Sequence, residues 1–464
     1  MHRFTISFLL LLAFLPCYPL QLRAAQQASP IQGPLPHVST DMEKPHFWTS
    51  KLRNPDRSLL NPREIRSMNA ANLKQKDFYL CNVRELPEAL TRGELLELLR
   101  EDWEGFGPSD EIRYGKDGNP LGRTFWSRLK DTLNLEKIEE TNPIQFGLII
   151  KRTDIRVFPT DDVSLSTPSN VEFDRFQHSS ISPGSLIGIY HLGKTGGWAY
   201  VQTKFIRGWV RLADIATAKE RNVAVDYEGS KEQLVVTGNS INVYKEPLRT
   251  EPIFSAQMGA SFPALSFSEA SDRYYRVKIP SRKKDGQLVL GEAYIHRNED
   301  VHRGFLPYTQ RNVARQAFNM LNEPYGWGDM FGGRDCSRFI MDIFATLGIV
   351  MPRNSKYQAM VGENVWSGEG RDEKEKRDAL DRAIPLATLL RLPGHIMLYL
   401  GKHQGRYYVI HSIWGIQRAG NSGPVVGKIA RVVVSDLSLG ESGPYGSLFQ
   451  RITDIRFIGR PGAF

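Results

Sequence analysis

Apolar residues at Phe339, Ile340, Ile343, Phe344 and Leu347 recur at the three- and four-residue spacing of a single helix face. The pattern predicts a helix that begins just after Asp335, a residue type suited to cap it, and stops at Gly348. Further on, residues 394–412 alternate side chains along two arms around the polar turn Gly401 to Gly405, the mark of a hairpin. Pairing Tyr399 with Tyr407 would set His395 opposite His411 on one face, with Cβ atoms roughly 5 Å apart. Lys428 to Val434 and Arg451 to Ile458 read as strands that complete a sheet.

Upstream the period changes twice. From about residue 47 to 135 the spacing is helical, clearest where Thr91 and Glu94 form a capping-box pair ahead of Leu95, Leu96, Leu98 and Leu99. From 143 to 216 short strands are broken by turn residues, as in Phe146–Ile150, Ser185–Tyr190, Gly197–Val201 and Gly208–Val210, which fits a small barrel. Residues 217–300 repeat the habit less clearly, in Gln233–Val236 and Tyr274–Lys278. The expected organisation is a helical domain over 46–142, barrels over 143–216 and 217–300, and an α+β domain over 301–464.

The first 25 residues carry a basic start, an apolar run from Phe4 to Leu15 and small residues at Ala24 and Ala25. That run is too short to span a bilayer and reads as a signal peptide, so export to the periplasm or cell envelope is expected, without stable membrane insertion. Residues 26–45, rich in Gln, Pro and Ser, are expected to be a flexible lead-in. Pro16 before Cys17 makes a poor lipidation site.

Composition narrows the choice of chemistry. A chain of 464 residues with 41% hydrophobic content is long enough for several folded domains. Its net charge of +9 suits an anionic partner, although Lys and Arg are spread along the chain. No zinc-spaced Cys/His cluster and no phosphate-binding loop appears, so neither a metal nor a cofactor is expected, and no nucleic-acid partner. After removal of Cys17, Cys81 and Cys336 remain; Cys81 ends the apolar run Phe78–Leu80 and reads as a buried thiol.

Cys336 is the candidate nucleophile. At a helix start, unpaired N–H groups and the helix dipole favour thiolate over thiol. A histidine on a rigid strand and a second ring beside it complete the set that a cysteine hydrolase needs.

Five ordered motifs then resemble the NlpC/P60 cysteine peptidases: Tyr325–Gly328, Asp335–Cys336–Ser337, Met351–Ser355, His395–Gly401 and Ile410–Ser412. The resemblance implies a papain-like C-terminal domain behind two SH3-like barrels and a mainly helical stabilising domain. It implies cleavage of the γ-D-glutamyl to diamino-acid bond of peptidoglycan stem peptides, with peptidoglycan or a muropeptide as partner. Cys336 would be the nucleophile, His395 the base and His411 the orienting residue. Tyr325 would support oxyanion or substrate, Asp335 and Ser337 the substrate's free amine, and Arg353 its carboxylates; helix capping is the rival role for Asp335. In relatives an SH3-like module borders the site, and the loop Thr203 to Arg207 is the candidate wall. Arg338 stands where the family usually has Gly, a long cation expected to narrow the pocket or meet an acidic substrate. Two other readings use the same residues: a wall-binding protein without turnover, and an amidase or acyltransferase.

Overall fold

The computed structural model of the protein describes residues 33–248, 250–266, 273–368, 372–418 and 425–460. The expected signal peptide, and the lead-in up to residue 32, lie outside the described residues. From residue 33 the lead-in is packed down, contrary to expectation. Leu35 and Met42 are buried, His37 Nδ1 lies 3.0 Å from Asp436 Oδ2, and the Tyr408 hydroxyl donates to the His37 carbonyl at 2.9 Å. Two apolar side chains among Pro and Ser are enough to anchor it.

The helical region divides between two cores. Trp48, Leu60, Ile65 and Phe78 share a core with the helix at Cys336–Ala345. The Asn69 side chain ties the Pro62–Leu73 helix to the loop after that element, donating to the Gly348 carbonyl and accepting from the Val350 N–H. By contrast, Leu95 and Leu99 of the Arg92–Phe106 helix pack with Tyr200 and Trp209 of the first barrel. Thr91 caps that helix through the reciprocal bonds with Glu94 that its sequence predicts.

Two seven-stranded antiparallel sheets follow, spanning residues 145–217 and 233–303. In the first, Ile155, Ile187, Ala199, Val201 and Val210 point into the same core as the C-terminal domain, so this barrel and that domain are packed as one body. The second has its own small core of Leu234, Val236, Ile241, Phe262 and Ile279.

The C-terminal sheet runs in the order Glu363–Ser367, Asp454–Phe457, Thr388–Leu392, His395–His403, Arg406–Arg418, Val425–Asp436. The Cys336–Ala345 helix covers one face, its Phe339, Ile340, Ile343 and Phe344 fully buried with Ile396, Leu398, Ile410 and Val432. Burial of each such side chain is worth about 1.5–3 kcal/mol, so the helix and its first residue are held firmly. Arg451 does not begin the last strand, as its sequence suggests; it ends the short helix Leu448–Arg451 just before it.

Candidate active site

Cys336 is the first residue of its helix, and Asp335 caps it by accepting the Arg338 N–H at 2.8 Å. Its thiol lies against the N–H of Ile396, the residue after His395. Among the described residues both Cys336 and Cys81 are free thiols, Cys81 only partly buried and pushed up to about 11 by burial.

The two histidines meet, but not in the expected register. A bulge between Tyr399 and Gly401 lets Tyr399 pair with Val409 and moves Tyr407 opposite Lys402. Leu398 pairs with Ile410, and the same register carried on would face His395 with Ile413, so His395 and His411 are diagonal neighbours. A two-residue slip keeps every side chain on its face, and the rings still touch: His395 Nε2 lies 2.6 Å from His411 Nδ1. His411 Nε2 in turn lies 3.1 Å from Ser435 Oγ, and His411 is fully buried. With Nε2 of His395 taken by His411, Nδ1 is the nitrogen left for the thiol.

The chain Ser435, His411, His395 contains no carboxylate. Burial, with Arg451 adding to it, pushes His395 down to about 3, and burial with His395 beside it holds His411 well below the usual imidazole range. Burial, then Asp335, pushes the Cys336 thiol up to about 12. Removal from water works against the helix N-terminus and so against a resting thiolate. Both shifts favour the neutral thiol and the neutral imidazole at rest.

Around Asp335 lies a buried network. Its Oδ1 accepts from Ser337 Oγ at 2.9 Å and Arg353 Nη1 at 3.1 Å, and its Oδ2 from Arg353 Nη2 at 2.6 Å and the Gly328 N–H at 3.2 Å. Arg353 also donates to Ser337 Oγ at 2.7 Å and Ser179 Oγ at 2.7 Å. This corrects the expected role of Arg353: its guanidinium is buried and spoken for, not turned toward a substrate carboxylate. The expectation for Arg338 fails in the same way. Arg338 is buried, pairs with Asp342 at 2.6 Å and Asp329 at 3.0 Å, and donates to the Ser180 carbonyl at 3.0 Å. Arg334 pairs with the other Asp342 oxygen at 2.6 Å and reaches the Asn239 carbonyl at 2.9 Å. Three arginines face three aspartates, and Ser179, Ser180 and Asn239 bring both barrels into the same network.

Tyr325 faces the site. Its ring packs on Phe173 and Trp414, and Cys336 and Asp335 both act on its hydroxyl, which burial holds well above the usual phenol range. Phe173 also contacts Trp327 and Trp414, the Trp327 indole N–H donates to the Asp174 carbonyl at 3.0 Å, and Lys428 over Trp414 pairs with Glu172 at 2.8 Å. The barrel segment beside the site is therefore 172–180. Of the predicted wall, Thr203 to Arg207, Lys204 and Phe205 instead line a small cavity of about 70 Å³ with Met341, Ala345 and Gly348, near the far end of the helix, while the Arg207 backbone meets His178. Sequence reasoning missed Phe173, Ser179, Asp329, Trp414 and Ser435. Only Asp329, inside the glycine-rich run after Tyr325, carried a local signal; it adopts a left-handed φ of 68° held by its carboxylate bonds.

Comparison with known proteins agrees with this geometry. The sequence model of the NlpC/P60 family matches residues 322–412, and that of an SH3 domain of SH3b1 type matches residues 165–211. The chain carries an NlpC/P60 domain. It is similar in fold to the solved NlpC/P60 endopeptidase of Photobacterium damselae subsp. piscicida, with a TM-score of 0.74 at 19% identity over 93% of this chain and 99% of that one. It is 32% identical over 78 residues to a γ-D-glutamyl-L-lysine dipeptidyl-peptidase of Bacillus subtilis (strain 168), a match covering 17% of this chain. The chain spans 26% of that relative's length. The NlpC/P60 match runs from the loop before Tyr325 to Ser412, within the strand that carries His411; the SH3 match includes Phe173 and Ser179. Among the described residues no group of side chains suits a metal ion, and no helix is long and apolar enough to cross a membrane.

Proposed function

We propose that the protein is a cysteine endopeptidase that hydrolyses the γ-D-glutamyl to diamino-acid bond of peptidoglycan stem peptides. One observation carries the reading: the Cys336 thiol lies at a helix start against the strand that presents His395, whose far nitrogen is held by His411. The Cys336 sulfur attacks the amide carbonyl as its proton passes to Nδ1 of His395, which then gives it to the leaving amine. The C–N bond breaks, a thioester remains, and water activated by His395 cleaves it to carboxylate and thiol. The Cys336 N–H is the oxyanion donor, a contact typically worth roughly 3 kcal/mol. His411, donating to Ser435 and accepting from His395, fixes the tautomer with the lone pair on Nδ1. The substrate's free amine lies at the Asp335 and Ser337 end of the cleft, beside Tyr325.

The B. subtilis relative's name and the family match favour wall peptides as the substrate and exported action as the setting. The test is release of the diamino acid's amine from a synthetic L-Ala-γ-D-Glu-diamino-acid tripeptide, with free and acetylated N-termini. Release from the free peptide alone is expected. Binding to sacculi without release would instead favour a wall-binding protein, and turnover of other acyl donors only would favour an amidase or acyltransferase.

A further inference from the structure

With Arg353 and Arg338 locked among aspartates, neither is free to read the carboxylate-rich substrate of the reaction proposed above. Arg451 is placed for it. It ends the short helix Leu448–Arg451, and two residues later Thr453 N–H donates to the Arg391 carbonyl at 2.8 Å. Arg391 pairs with Ile396 and Leu392 with His395, so the chain at Arg451 comes in two strands away from His395. Two strand spacings are about 10 Å, a gap that a long side chain largely closes. The approach is from the side opposite the aromatic wall, because Trp414 is on the strand next to His395 on one side while Arg451 precedes the strand two places away on the other.

The guanidinium is also uncommitted. Arg451 is half-buried, and among the described residues its side chain has no carboxylate or hydrogen-bond partner; the Tyr445 ring lies 6.0 Å away, and the charge of Arg451 reaches His395. The carboxylate closest in sequence, Asp454, is bound to Arg391 at 2.9 Å. A partly desolvated arginine without an anion is costly, and a planar fork of donors suits a carboxylate. We infer that Arg451 is a substrate-binding residue, which holds a carboxylate of the stem peptide flanking the scissile amide. This rests on the peptidase reading. Two carboxylates are available, the α-carboxylate of D-Glu on the acyl side and that of the diamino acid on the leaving side.

The test compares the parent protein with Arg451→Ala and Arg451→Lys on three tripeptides: the free acid, the D-Glu α-carboxamide and the diamino-acid carboxamide. The parent is expected to prefer the free acid over one carboxamide by at least about tenfold in kcat/KM. Arg451→Ala loses that preference, Arg451→Lys recovers part of it, and the carboxamide concerned names the carboxylate. An Arg451→Ala protein that keeps the parent's order of preference overturns the inference. A second measurement needs no turnover. The ratio of alkylation of Cys336 by iodoacetate to that by iodoacetamide, resolved from Cys81 by peptide mapping, falls at least about threefold in Arg451→Ala if Arg451 draws anions to the site. An unchanged ratio overturns it, even if no tripeptide is cleaved and the peptidase reading itself has failed.

Discussion

At the scale of single residues, burial decides the protonation states. Burial pushes the Cys336 thiol up to about 12 and the His395 imidazole down to about 3, which favours the uncharged form of both at neutral pH. Alkylation of Cys336 by iodoacetamide should therefore climb about tenfold per pH unit between pH 7 and 9, with no plateau; a plateau below pH 7 would show a thiolate–imidazolium pair instead. The same shifts bear on stability. Both histidines have folded-state values below the unfolded value of about 6.5, so the unfolded chain binds more protons as pH falls. Their stability contribution is whole above about pH 6.5 and is lost toward pH 3. Chemical unfolding from pH 7 to pH 4 should show that loss, and His411→Gln should lessen it.

At the scale of elements, the nucleophile helix is fixed by charges as much as by its apolar face. Periodicity made the helix legible, along with its cap and stop, because one stripe of Phe and Ile can be read along the chain. The network beneath Asp335 was not legible, since Ser179 is distant in sequence and the pairing of the nearby Asp329 and Arg338 is set by the fold and not by spacing. Arg338 shows the difficulty well: next to the nucleophile a cation suggests a ligand, and only the fold reveals Asp342 and Asp329 closing on it. Arg338→Gly, the family's usual residue, leaves Asp342 to Arg334 alone and Asp329 to Arg353 alone, and the lost charged hydrogen bonds should cost about 1.5–3 kcal/mol in denaturant unfolding. A solvent-facing arginine would cost less than about 0.5 kcal/mol. The hairpin teaches the complementary lesson. Alternation put both histidines on one face, whereas the bulge at Tyr399–Gly401, which sets their diagonal contact, leaves no mark in the pattern.

At the scale of the whole molecule, the C-terminal domain does not end where its sequence family does. Trp48, Leu60 and Phe78 complete its core, and Ser179, Ser180 and Asn239 complete its buried polar network. A chain beginning at residue 301 should therefore expose apolar surface and unpaired charge, and should unfold cooperatively only at much lower denaturant than the full chain, or not at all; equal midpoints would contradict this. The most direct test of the account is the cleavage of one stem tripeptide, followed by mass spectrometry with the full chain, Cys336→Ala and His395→Ala. A single cut after γ-D-glutamate is expected from the parent, with loss of at least about a thousandfold in rate for both variants. Undiminished cleavage by the Cys336→Ala protein would contradict it.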